Sequence, residues 1–438
     1  MTDAVAITRT DVKAELAAEL TAARERTLGL LEPLADDELT CQHSPLMSPL
    51  SWDLAHIGVF EELWLLQRIA GTEPMVPEYA GLYDAFNHPR IERAELGLMN
   101  PKQARSYLDE VREQALGVLA DAELGAEDDP LLADGFVYRM VVQHEHQHCE
   151  TMLATLQLSD CVYPLPEWEP PPPRAPERAE VLVAAGSFPL GASDDPWAYD
   201  NERPAHEVGA APFWIDTAPV TNRAYLEFVD AGGYRDQRLW AADGWAWRWK
   251  EQVEHPLFWR REGGGSWSRI RFGHVEPLPP DEPVQHISWF EADAYARWVG
   301  RRLPTEEEWE LAASWDGRVK RRFPWGDERP GEAEANLADP QRFRPAPVGA
   351  YPAGAATAGA EQLMGDVWEW TSSDFRGYPG FRAFPYEEYS EPFFGPEHKV
   401  LRGGSWAVHP SAVRSTFRNW DFPQRRQIFS GFRCARHA

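Results

Sequence analysis

A chain of 438 residues is too long for one compact core, so two or three domains are expected. Its formal charge of −27 argues against a nucleic-acid or anionic-membrane partner, and no apolar run approaches the length of a membrane span. Met1 to Thr10 holds no basic stretch leading into an apolar core, and Cys41, Cys149, Cys161 and Cys434 are scattered without a Cys-x-x-Cys pair. A cytoplasmic protein with reduced thiols is therefore expected.

In chain order, four stretches read as helices. Residues 11–34 carry Leu16, Leu20 and Leu28 with alanines between them, 51–68 form a second amphipathic run, 101–122 a third and 135–158 a fourth. Such helices imply a bundle, whose core can gather metal ligands from different helices. The fourth contains His144-Glu-His-Gln-His148, and this spacing sends His144 and His148 off one helical face, near an apolar stripe that includes Val141 and Met152. His56 interrupts the second helix; taken alone it reads as a satisfied core histidine, and beside the pair it becomes a third ligand candidate. Three neutral imidazoles with open positions would make a reactive centre, not a closed structural one. His146 points away from that face and is expected at the surface or behind a ligand. Glu150 is placed to orient a ligand imidazole, and Cys149 reads as a buried, inert thiol.

The run from Pro164 to Pro176 can continue neither a helix nor a sheet interior and marks a linker. Beyond it come short β-prone runs, many Gly and Pro, and most of the 20 tryptophans. Helices are expected at 221–231, at 289–299 and from 304 onward, where the first turn is acidic. This half reads as α+β with long irregular loops and without internal repeats.

Ordered motifs add a resemblance. The helical half looks like a DinB-type four-helix bundle. The second half resembles the formylglycine-generating-enzyme (sulfatase-modifying factor) domain, a variant of the C-type lectin fold, through Gly186-Ser-Phe-Pro-Leu-Gly191, Asn201-Glu-Arg-Pro204, Arg302-Leu-Pro-Thr-Glu-Glu-Glu-Trp309, Gly365-Asp-Val-Trp-Glu-Trp-Thr371, Leu401-Arg-Gly-Gly-Ser-Trp406 and Gly431-Phe-Arg-Cys-Ala435. The resemblance implies a helical bundle over 1–163, a proline-rich linker over 164–177 and the lectin-like domain over 178–438. Formylglycine generation is not expected, because that chemistry uses a cysteine pair after the RGGSW block, and only Cys434 lies beyond Cys161. Fold alone does not assign a function.

The fusion of the two halves resembles the ergothioneine-biosynthetic sulfoxide synthases, or hercynine oxygenases. That resemblance implies Fe(II) held by His56, His144 and His148, with γ-glutamylcysteine, hercynine (Nα-trimethylhistidine) and O2 as partners. It further implies Tyr386 as proton donor, with Tyr389 on the same loop and Tyr378 in reserve if the segment 395–399 is a short loop that alters which tyrosine reaches the iron. Asn419, Trp420 and Asp421 would accept the trimethylammonium group, Gln147 the substrate imidazole, and Arg90 and Arg93 the carboxylates of the thiol. The absence of a following methyltransferase domain favours the ergothioneine branch over the ovothiol one, and a monomer is expected. The competing readings are a DinB-type thiol transferase using Zn(II) and a non-catalytic binding module with a structural metal.

Overall fold

The structure, a computed structural model, describes residues 9–125 and 129–438, so the reading of residues 1–8 lies outside the described residues. The chain divides after Pro164 into two compact units.

The first unit is helical: α1 (Arg9–Leu31), α2 (Asp36–Thr40), α3 (Leu50–Glu61), α4 (Pro77–Leu82), α5 (Pro101–Asp121) and α6 (Phe136–Leu158). The four long expected helices are present within a few residues, except that 51–68 is not one regular element. α3 runs into a π-helical turn, Glu62–Ile69. Nor is α3 amphipathic, because α2, α5 and α6 all pack against it and every residue from Leu50 to Val59 is buried. α5 starts on a capping box in which Asn100 accepts from Gln103 N, with Pro101 in the first turn.

Buried charges cross-brace the four long helices. Arg24 of α1 donates to Glu61 of α3 at 2.7 Å and to Glu145 of α6 at 2.9 Å. Arg112 of α5 donates to the same two carboxylates at 2.6 and 3.0 Å. Each carboxylate thus faces two guanidinium groups, which compensates for the loss of hydration at a site where Glu61 and Glu145 are 0% exposed. This quartet fixes α3 against α6.

The second unit is a set of small sheets with helices between them. β1 (Glu180–Val183), β4 (Phe213–Asp216) and β12 (Ala435–His437) form one antiparallel sheet, and β2 (Gly186–Leu190) pairs with β3 (His206–Ala210). Helix α7 (Asn222–Asp230) is capped by Thr221; α8 (Ala242–Lys250), absent from the sequence expectation, follows it. β5 (Trp259–Arg261), β6 (Trp267–Arg271) and β7 (His274–Pro277) make a meander. Capping boxes open α9 (Trp289–Trp298) at Ser288/Glu291 and α10 (Glu306–Ser314) at Thr305/Glu308. The last sheet has the order β10 (Asn419–Asp421), β9 (Gly395–Arg402), β8 (Trp368–Phe375), β11 (Ser430–Gly431). The segment 395–399, expected as a short loop, is therefore strand, paired through Lys399 with Asp421.

The motif residues of this unit build its interior. Arg433 pairs with Glu369 at 2.7 Å, Arg418 with Glu306 at 2.9 Å, and Arg402 with Glu310, all with buried side chains. At Gly403, with φ of +93°, a Cβ would lie 2.4 Å from Leu363 O, so the RGGSW turn admits only glycine there. Trp309, Phe188, Phe213, Ile215 and Leu363 form the apolar core, which also holds Tyr378.

Candidate functional site

Helix α6 is buried along almost its whole length; its less buried positions include His144, Gln147, His148 and Thr151, the i, i+3, i+4, i+7 stripe of one helical face. The histidine pair thus occupies the open stripe and not the apolar one. His56 of α3 faces it. One nitrogen from each of His56, His144 and His148 lies within 4.8 Å of the others, and His56 Nε2 is 3.2 Å from His144 Nε2.

The surroundings fix how these rings are presented. His56 Nδ1 donates to the Tyr83 carbonyl at 2.7 Å, and His148 Nδ1 donates to Asp53 Oδ1 at 2.9 Å, which leaves the Nε2 lone pairs of both for a metal. Phe60 stacks on His144 at 3.6 Å and Trp52 on His56 at 4.7 Å. Burial, reinforced by His148, pulls the His56 imidazole well below its usual range and does the same to His144, so both are neutral imidazoles. Two nitrogens about 3.2 Å apart suit one ion bound at ~2.1 Å from each with a cis angle between right-angled and tetrahedral. The donor set fits a metal.

His148 finds its acceptor in Asp53 of α3, a residue outside the sequence expectation. Asp53 lies three residues before His56 and so presents a carboxylate to the same face, a signal readable in Trp52-Asp-Leu-Ala-His56. His146 is not at the surface: it is 1% exposed and sits 3.3 Å from Arg26, because α1 covers that side of α6. Cys149 is buried against Thr27 at 3.3 Å, and burial raises its thiol pKa, as expected of an inert thiol.

Arg93 is buried, with its guanidinium 3.6 Å over the Trp52 ring and donating to His88 O, Ser48 Oγ and Ala85 O. Three of its five N–H groups are thereby used, and two remain. Arg90 is exposed and donates to Leu46 O at 3.2 Å. Gln147 shares the open stripe with the histidines.

In the second unit Tyr386 and Tyr389 sit on one loop with ring centroids 6.1 Å apart, and Tyr389 lies 5.8 Å from Trp420. Trp420 stacks on Phe375 at 4.2 Å. Asn419 and Asp421 accept from the following backbone N–H groups at 2.8 Å. Burial, with Tyr389 and Asp200 nearby, holds the Tyr386 phenol well above its usual range, so it stays protonated. Tyr378, the reserve candidate, is 6% exposed with Arg418 4.2 Å over its ring, a core residue in this structure.

The bundle and the lectin-like unit define a class. Residues 19–152 match the DinB superfamily profile, and residues 167–438 match the sulfatase-modifying factor enzyme 1-like domain. The chain is 52% identical over 429 residues to the hercynine oxygenase of Mycobacterium tuberculosis, covering 96% of this chain and 98% of that one. It is 52% identical over 436 residues to the hercynine oxygenase of Mycolicibacterium smegmatis, with the same coverage. A formylglycine-generating enzyme of Streptomyces coelicolor is 34% identical over 300 residues, 62% of this chain and 93% of that one. The chain belongs to the hercynine oxygenase family and is a metal-dependent oxidoreductase. Among the described residues no helix is long and apolar enough to cross a membrane.

Proposed function

We infer that the chain is a sulfoxide synthase that joins the sulfur of γ-glutamylcysteine to C2 of the hercynine imidazole, using O2 and Fe(II), in ergothioneine biosynthesis. The observation that carries this reading is the trio His56, His144 and His148, with one nitrogen each within 4.8 Å, in a chain of this family. His56, His144 and His148 would hold a divalent iron through three neutral imidazoles, and the ion would supply O2 activation and a lowered thiol pKa.

The chain's own residues divide the rest. Asp53 and the Tyr83 carbonyl hold two ligand rings in the tautomer that exposes Nε2. Gln147, one turn after His144 and next to His148, hydrogen-bonds the substrate imidazole. The Trp420 face and the Asp421 carboxylate receive the trimethylammonium group, which has no N–H to donate, and Asn419 completes that cradle with Tyr389 beside it. Arg93 offers its two remaining N–H groups, and Arg90 its exposed guanidinium, to the carboxylates of the thiol. Tyr386 holds its proton at Oη and would serve as a general acid.

Anaerobic reconstitution with Fe(II), followed by oxygen uptake with each substrate alone and then both, tests the reading. Uptake that needs both substrates and gives the coupled sulfoxide by mass spectrometry is expected. Zn-dependent thiol transfer without oxygen uptake would overturn it. Tyr386→Phe is expected to divert the thiol to a sulfinic acid, and unchanged product ratios in that variant would remove Tyr386 from the proton-donor role.

A further inference from the structure

The Tyr199-Asp-Asn-Glu202 turn, part of a motif with no role in the reading above, is a short 3-10 segment in which all four residues are at most 2% exposed. Burying two carboxylates in one turn is costly unless each is fully used. Asp200 is used on one loop. Its Oδ1 accepts from Ser390 Oγ at 2.5 Å and its Oδ2 from Phe384 N at 3.2 Å, so one carboxylate holds both ends of the segment that carries Tyr386 and Tyr389. Asn201 Nδ2 adds a bond to Ser390 Oγ at 3.1 Å, and the Tyr199 ring stacks on Tyr389 at 4.4 Å.

Glu202 and Asn201 reach in the other direction. Glu202 Oε2 accepts from Arg414 Nε at 2.8 Å and from Thr416 Oγ1 at 2.7 Å, and the Asn201 carbonyl accepts from Arg418 at 2.7 Å. These bonds fix the irregular segment 414–418, which runs directly into the strand Asn419–Asp421. The turn is therefore a common support for two pieces of chain separated by about thirty residues.

We propose that the Tyr199–Glu202 turn is a positioning element of the reaction, with Asp200 as the residue that sets where the Tyr386 loop stands relative to the Asn419–Asp421 strand. This rests on Tyr386 as proton donor, and the test separates the two ideas. In Asp200→Ala the fraction of thiol leaving as sulfinic acid is expected to rise about tenfold, the scale on which small misplacements of a reacting group act. The KM for hercynine is expected to stay within about twofold, because the Glu202 anchors to the strand remain. Asp200→Asn, which keeps one acceptor for Ser390 and loses the one for Phe384, is expected to give an intermediate partition. Trypsin cleavage after the exposed Arg382 of the metal-free protein, a readout independent of turnover, is expected to accelerate in the same order. Should Asp200→Ala fail to fold, Ser390→Ala removes one clamp without stranding a carboxylate and carries the same expectation. If Tyr386→Phe shifts the partition and neither clamp variant does, the positioning role is wrong. If Tyr386→Phe itself leaves the partition unchanged, the proton-donor reading fails first.

Discussion

Both units bury ion pairs, but they wire them differently. In the helical unit Glu61 and Glu145 each face Arg24 and Arg112, so each of these two carboxylates has two cationic partners. In the lectin-like unit Glu369 has Arg433, Glu306 has Arg418 and Glu202 has Arg414, one guanidinium each, whereas Glu310 has Arg402 and Lys320 and Glu282 has Arg269 and Arg344. Helices can offer side chains to one another from several turns. Irregular loops need a single guanidinium to tie many backbone carbonyls at once, and Arg433 bonds Asp216 O, Thr217 O, Glu361 O and Gln362 O besides its carboxylate. Redundancy should therefore decide what a single loss costs.

The sharpest way to break this comparison is to remove one arginine from each network. Arg433→Met strands Glu369 with only the Trp309 indole and takes a donor from four carbonyls, of which Thr217 O keeps the Glu361 N–H, so a loss of about 5 kcal/mol is expected, at the upper end for a broken buried pair. Arg24→Met leaves both carboxylates on Arg112, and about 3 kcal/mol is expected. Urea unfolding of the full chain, followed by tryptophan fluorescence and by circular dichroism, measures both. A larger loss for Arg24→Met would show that sharing a carboxylate gives no protection.

A smaller effect sharpens the comparison at the candidate metal centre, where a single carboxylate acts on a single imidazole. Asp53→Asn keeps an acceptor near His148 Nδ1 and removes the charge, and a 10- to 100-fold weaker metal affinity is expected, of the order seen when the partner of a ligating imidazole is changed. Competition against a chelator reads this directly. Unchanged affinity would reduce Asp53 to a packing role.

The same contrast explains what the sequence discloses. Regular helices project side chains at fixed angles, so His144 and His148 could be paired from spacing, and the four long helices were legible within a few residues. His56 was nominated by its place among apolar residues, and Asp53, three positions away, could have been found by the same rule. The acceptor of His148 comes from the helix opposite, which spacing within one helix does not disclose. In the second unit the motif blocks were visible but their physics was not, since Arg433 meets Glu369 across 64 positions and Arg414 meets Glu202 across 212. Helix α8 carries four aromatic or basic residues in Trp245-Ala-Trp-Arg-Trp249 and lacks a capping side chain, so neither periodicity nor a start signal announced it.

The smallest expected effect concerns a buried group with no ionic partner, the counterpoint to both networks. His286 is 5% exposed, with Nδ1 3.2 Å from Arg426 O and a φ of +62°. Burial pulls its imidazole down to about 3. The folded pKa lies below the unfolded one, so the folded chain resists a proton that the unfolded chain accepts. His286 therefore contributes stability that is present above the ordinary histidine pKa and is lost as pH falls from there toward about 3. His286→Asn keeps a donor for the carbonyl and tolerates the left-handed backbone, but does not titrate. The difference in unfolding free energy between wild type and variant is expected to be flat above about pH 7 and to move against the wild type by up to about 1.4 kcal/mol per pH unit below ~6.5. Parallel stability curves from pH 7.5 to 5.5 would mean that His286 takes up its proton in the folded protein as readily as in the unfolded chain, and that the pocket around it does not keep it neutral.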